Sequence, residues 1–460
     1  MKEGQLQNPL EEALHEEKER LATVSVPDDI DLYIRSGIQQ AKQRQFHRRR
    51  MAWVRWGSGI AACLAFVGLL CSIRLSPAIA AYVSHLPGME KLVELISDDR
   101  GLQLAAEHDL VQPIGAVAAH GDVSFSVDQV LMDQKRMLMF YTIRHKQDGH
   151  RVELEKVSFY TVDGAEWQAG YSWSGSSQRE ASIEQNRLDI FLNDETEIPD
   201  SLTAKVTLSV DGIQLDTPFA VTFPINKTKF GSLKEIVYPV GQGVTVDGQR
   251  FTVSKIVVYP TQTEVTIQFD PANTKHVFGF DRLRLVDEKG RTYQFWGNGI
   301  PSRPDGEHGV VYNLESCYFA DPQRLFLKAD GIRALDKDKL DVQIDAAKGT
   351  LSKAPDSRLK LVAIRQNSDA VGMDFSLEVE KQDEKRFISL TSELTDDRGN
   401  SYQNVSGSSH SGDSQDDVSP VQYYGELFKR TTDKGTPGQY SFTLNDYPTR
   451  LSAGFTVPIK

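Results

Sequence analysis

The apolar pattern along this chain changes period three times. From Trp56 to Ile73 run eighteen residues without a charge, spanning roughly 27 Å as a helix, close to the hydrocarbon thickness of a bilayer. With Trp53 and Trp56 at the interface, this pattern predicts a transmembrane helix over 53–75. Ahead of it, Asp28 or Asp29 can cap a helix in which Ile30, Tyr33, Ile34, Ile38 and Ala41 form one apolar stripe. An amphipathic helix over 28–46 is therefore expected inside an N-terminal tail, 1–52. After Pro87-Gly88, Met89, Leu92, Val93 and Ile96 are spaced for one short helix beside the bilayer, in a linker over 76–109. Beyond Gly115 the period falls to two, with Val123, Phe125 and Val127 and later Leu138, Phe140 and Thr142 marking β-strands.

The strand pattern repeats. Phe125-Ser-Val-Asp-Gln-Val130 aligns with Phe251-Thr-Val-Ser-Lys-Ile256 and with Leu359-Lys-Leu-Val-Ala-Ile364, at offsets of 126 and 108. Each copy then has a turn whose glycine precedes an aromatic residue by three: Gly164 with Trp167, Gly290 with Tyr293, Gly399 with Tyr402. Asp163, Asp287 and Asp397 stand just ahead of those glycines, as turn chemistry favours. A Pro-x-x-Leu pair follows late in each copy, Pro199 with Leu202, Pro322 with Leu325 and Pro448 with Leu451. A period above one hundred residues fits tandem domains rather than a solenoid. The expected fold is mainly β: an N-terminal helix, one membrane helix and three tandem immunoglobulin-like β-sandwiches over 110–227, 228–347 and 348–460. Ser406 to Ser419 is almost wholly Ser, Gly, Asp and Gln and reads as a mobile loop in the third unit.

Charge sets the orientation. The chain has 460 residues and a formal charge of −12, which argues against general nucleic-acid binding. Residues 1–55 nevertheless hold 10 Lys/Arg against 9 Asp/Glu, with Lys42, Arg44, Arg48, Arg49, Arg50 and Arg55 next to the span. The positive-inside rule then places the tail in the cytoplasm and everything after Arg74 outside a cell membrane crossed once. Ala78-Ile-Ala80 resembles a signal-peptide cleavage site, but more than fifty residues precede the apolar run, so retained anchoring is expected, with cleavage near Ala80 left open. The tail cannot build a core of its own. Its stripe of Ile30, Tyr33, Ile34 and Ile38 either docks in a groove of a cytoplasmic protein or lies on the inner leaflet.

Chemistry is sparse. Neither a nucleophile elbow, a His-Glu-x-x-His helix, a phosphate loop nor a dinucleotide fingerprint occurs, so no enzyme, catalytic residue or cofactor is expected. Of three cysteines, Cys63 and Cys71 fall in the span, leaving Cys317 unable to form an intrachain bridge outside; no metal site is expected. Asp396-Asp-Arg-Gly-Asn400 is oxygen-rich but lacks calcium-loop spacing and reads as a turn. Trp167 and Trp173 in the first unit and Trp296 in the second offer two readings, an exposed platform for a cell-wall glycan or protein ligand, or core packing.

Ser76-Pro-Ala-Ile-Ala-Ala, Leu86-Pro-Gly-Met-Glu-Lys-Leu-Val-Glu-Leu-Ile96, Asp99-Arg-Gly-Leu102, Val111-Gln-Pro-Ile114 and Val123-Ser-Phe-Ser-Val-Asp-Gln-Val-Leu-Met-Asp133 together resemble a family of Gram-positive single-pass membrane proteins defined by a domain of unknown function. The resemblance covers about residues 27–145, and the second unit is similar to the uncharacterised β-domain that often follows. It implies an anti-sigma-factor-like regulator, with a sigma factor held by residues 27–46 and an exterior that senses the envelope. No cysteine precedes Cys63, so the zinc-binding type of anti-sigma domain is excluded. The alternative is an envelope adhesion protein that recognises wall glycan or another surface protein.

Overall fold

The computed structural model describes residues 90–460 save 174–181, 194, 296–299, 368, 381–388, 412–420, 433–434 and 436. The expected tail helix with Ile30, Tyr33, Ile34 and Ile38, the span over 53–75 and Trp296 lie outside the described residues. Among the described residues no helix is long and apolar enough to cross a membrane.

The described chain is mainly β, with strands organised around three large apolar cores. In the first, Val111–His120, Val123–Met132, Arg136–His145, Ile183–Phe191 and Gly170–Trp173 form a five-stranded sheet in that order. Facing it are Val152–Tyr160, Ser201–Val210 and Phe219–Pro224, and Phe125, Tyr141, Phe159, Phe219 and Phe223 fill the space between. The middle unit repeats the five-stranded sheet with Ile236–Val246, Gln249–Val258, Thr263–Phe269, Gly309–Leu314 and Ser302–Asp305. The third unit differs. Its eight strands form one continuous sheet running from Thr350–Lys353 to Leu359–Gln366, whose two end strands meet so that the sheet wraps round its core.

The internal repeat is visible in the backbone itself. Pairing slips by one residue between Val127 and Gln129, between Val253 and Lys255, and between Leu361 and Ala363, the same place in each aligned segment. A bulge there turns the following residues to the other face. The first strands of units one and two share a second irregularity, after Pro113 and after Pro239, where Gly115 and Gly241 take positive φ of 68° and 60°.

The shared turn has a chemical reason in two of its three copies. Asp287 accepts from the backbone N–H of Lys289 and Arg291 and, at 3.2 Å, from the Tyr293 hydroxyl. Asp396, rather than Asp397, is its counterpart: it accepts from the N–H of Arg398 and Asn400 and, at 2.8 Å, from the Tyr402 hydroxyl. Thr161 stands there in the first unit, and Trp167 instead sends its indole N–H to the Glu197 carbonyl. With its oxygens turned onto these donors, Asp396 is a turn residue.

Four expectations change. Among the described residues two helices, rather than one, precede the β units: α1 (Glu90–Leu95) and α2 (Arg100–Glu107), the latter capped by Asp99. Leu138 and Phe140 do not alternate with polar neighbours; Met137, Met139 and Tyr141 between them face the first core, so the strand is buried on both sides. Ser406–Ser411 are strand, paired with Gln422–Leu427, because the alternating neighbour supplies the apolar face. Pro448 and Leu451, expected as a turn late in the third unit, belong in part to the middle one: the Leu451 N–H donates to the Ile332 carbonyl and its side chain joins the middle core.

Asp287 and Asp396 are held below the ordinary carboxylate range; burial opposes their charge, but the hydrogen bonds from Arg291 and from Asn400 outweigh it. Such depressed groups add stability above the unfolded value and lose it as pH falls through the folded one. The Asp287→Asn/Asp396→Asn double variant is therefore expected to lose about 1–3 kcal/mol per site at pH 7. Urea midpoints of variant and parent should converge as the pH drops below about 4.

Candidate functional site

A fourth, smaller core lies outside the first unit's five-stranded sheet. Leu92 and Ile96 around α1 and Leu102 and Ala105 of α2 pack on Leu131, Leu138 and Phe140. The helix pair is thus the first described part of the chain, and a buried polar cluster ties it to both the first and the middle unit.

Arg136 stands at the centre of that cluster, wholly buried. Its Nε donates to Asp189 at 3.0 Å, its Nη2 to the same carboxylate, and its Nη1 to Asp99 at 3.3 Å and to the Thr261 carbonyl at 3.2 Å. The guanidinium lies 5.6 Å from the Phe191 ring centre and 5.4 Å from that of Phe295. One side chain therefore touches the helix pair, the first unit and the middle unit. Asp99 has two tasks, since its other oxygen caps α2 by accepting from the Leu102 N–H at 2.9 Å. Burial works against the charge on Arg136, but Asp189 and Asp99 outweigh it and raise its pKa. Burial also raises Asp99, more than Arg136 beside it lowers it.

Equivalent hairpins of units one and two meet next to Arg136. Asp133, in the turn after Val123–Met132, accepts from the N–H and hydroxyl of Thr261 at 2.7 and 2.8 Å. Thr261 sits in the matching turn after Gln249–Val258. Gln134 donates to the carbonyls of Phe230 and Leu233, fixing the short connection between the units. Burial pushes the Asp133 carboxyl up despite these bonds. On the far side of α2, a Cβ added at Gly101 would lie 2.7 Å from the backbone of Ser316, and the His108 ring stacks on Phe319 at 4.2 Å. Only glycine lets the helix approach the middle unit this closely.

The aromatic residues singled out in the sequence do not assemble into one platform. Trp167 is 8% exposed, edge-on to Phe159 in the first core. Trp173 is half-buried and stacks on Tyr171, itself 42% exposed, whose hydroxyl donates to the Val157 carbonyl. Cys317 is buried, which pushes its thiol up to about 12 and leaves little thiolate for reaction. Sequence reasoning missed Arg136, Asp99 and Gly101 as a set. The available signal was a charged residue directly before the unbroken apolar run Met137–Tyr141, a position that strand alternation gives no solvent-facing side.

Two family models match parts of the chain. A domain of unknown function (DUF4179) matches residues 48–145, and a family of unknown function (DUF5643) matches residues 235–351. The first match runs through the apolar segment and the helix pair to the end of the third strand, so Asp99, Gly101, Asp133 and Arg136 all lie within it. No curated protein matches. Among solved structures, the chain is similar to the conserved domain protein from Bacillus anthracis, at 11% identity and a TM-score of 0.37, over 53% of this chain and 85% of that one.

Replacing Arg136 by Met leaves the buried Asp99 without its bonded cation and Asp189 with Arg187 alone, at 3.2 Å, an expected cost of about 3–5 kcal/mol. Gly101→Val is expected to part α2 from Ser316. Hydrogen exchange should show both variants losing protection over 90–107, with the third unit's strands unchanged.

Proposed function

We propose that this chain is a single-pass membrane regulator of Gram-positive type: the apolar run over 53–75 spans the cell membrane, the tail lies in the cytoplasm, and the β units lie outside. In this reading the β units are immunoglobulin-like sensors of the envelope. The tail helix with Ile30, Tyr33, Ile34 and Ile38 holds a sigma factor, as an anti-sigma factor does, without metal, cofactor or catalysis. The observation that carries the proposal is the clamped helix pair. The chain between the apolar run and the β units contains α1 and α2, and Arg136 ties that pair to both units at once. A ligand or load on the exterior is therefore delivered to the chain leaving the helix pair instead of being absorbed by a slack linker. The resemblance over residues 27–145 and the match over 48–145 fall on this same stretch.

The adhesion reading draws support from the Tyr171–Trp173 pair, with Tyr171 exposed on an edge strand. The two readings part in one experiment. Tagged full-length protein, solubilised from membranes, is expected to co-purify with a sigma factor. Ile34→Asp together with Ile38→Asp should reduce the recovered sigma factor at least tenfold. Recovery that is unchanged in the double variant overturns the proposed tail contact, and fractionation of the intact protein as soluble overturns the membrane assignment. Binding to isolated cell wall by the intact chain, combined with a dispensable tail, favours adhesion.

A further inference from the structure

The last strand of the chain is in the wrong unit. In the first unit Leu202-Thr-Ala204 pairs with Val221-Thr-Phe-Pro224, a strand that follows closely in sequence. In the middle unit Leu327-Lys-Ala329 makes the same kind of pairing with Phe455-Thr-Val-Pro458, at the far end of the chain. Both returning strands read Thr, an apolar residue, Pro, Ile: Thr222-Phe-Pro-Ile225 and Thr456-Val-Pro-Ile459. The third unit has no need of such a strand, since Asp341–Asp345 fills the place beside Gln439–Thr443.

We infer that the third unit is an insertion between the body of the middle unit and its closing strand, and that the middle unit is built as a slot for a separable β-strand whose occupant is the chain's own Gly454–Lys460. The slot is apolar: Phe455 sits 5.1 Å from Phe251 and 5.4 Å from Phe280, and Val457 is buried. It grips the backbone at the end of the strand, where the Ile459 N–H donates to the Leu325 carbonyl at 2.7 Å and the Leu325 N–H to that of Lys460 at 3.0 Å. It also excludes side chains at one point, for a Cβ on Gly454 would lie 2.0 Å from the Ala329 carbonyl oxygen. Where the chain returns, Asp281 accepts from Arg333 and Arg450, Arg333 also reaches Asp446, and Asp247 holds the Ser452 N–H and hydroxyl. The matched family segment, 235–351, stops short of this strand. Such strand addition takes affinity from main-chain bonds and selectivity from alternate side-chain pockets.

The test compares the full-length chain with one ending at Ala453, using a fluorescent peptide of residues 454–460. Saturable binding to the shortened chain, at least tenfold weaker with the intact chain and with a Val457→Asp peptide, is expected. Equal binding to intact and shortened chains overturns the inference, as does a shortened chain that keeps the parent's exchange protection over Leu325–Ala329. Should the shortened chain fail to fold, full-length Gly454→Val decides. Protection lost over Leu325–Ala329 but kept over Val421–Arg430 supports the slot, and uniform loss or loss confined to the third unit refutes it.

Discussion

A buried guanidinium is costly unless every donor finds a partner, and the arrangement around Arg136 follows from that constraint. Its donors are met by a carboxylate from the helix pair, a carboxylate from the first unit and a carbonyl from the middle unit. Each of these elements supplies a partner, so the guanidinium is fully met only where all three come together. The desolvation cost thus becomes a demand for one relative placement of three elements. Apolar packing alone is less exacting, because greasy faces slide where a forked donor set does not.

The three β units vary one plan. The bulge after Val127, Val253 and Leu361 and the turn at Gly164, Gly290 and Gly399 recur in all three. What differs is how each closes: the first by its own following strand, the middle by Phe455–Pro458 from beyond the third unit, the third by its own first strand, Asp341–Asp345. The Arg333–Asp281–Arg450 chain marks where the path leaves the middle unit and comes back, so the third unit hangs from two crossings rather than one.

Much of this was legible in the sequence and some of it was not, for identifiable reasons. Period-two alternation located the strands, and short segments such as Phe125–Val130 exposed the repeat, because both are local signals. Alternation fails for Arg136–Tyr141, where both faces are covered; of the helices that cover one face, α1 shows in the spacing of Leu92, Val93 and Ile96, whereas the eight-residue α2 is too short to announce itself by periodicity. The Asp99 cap was readable beside Leu102, but its second role depends on residues 37 and 90 positions away. The expected third-unit boundary, 348–460, includes the middle unit's closing strand, since no local feature of Phe455–Pro458 says which sheet it joins. Of the candidate aromatics, Trp167 is core and Trp173 is partly so, as sandwiching sheets demand large apolar groups.

The late position of Phe455–Pro458 also sets a timetable for synthesis. A nascent chain emerges from its N-terminal end at about 5–20 residues per second, so the first unit can finish before the middle one has all its parts. The middle unit then waits, its Leu325–Ala329 border uncovered, while the ribosome makes more than a hundred further residues. During that interval its raw border is open to any stray strand, and the seal arrives only once Phe455–Pro458 has been made.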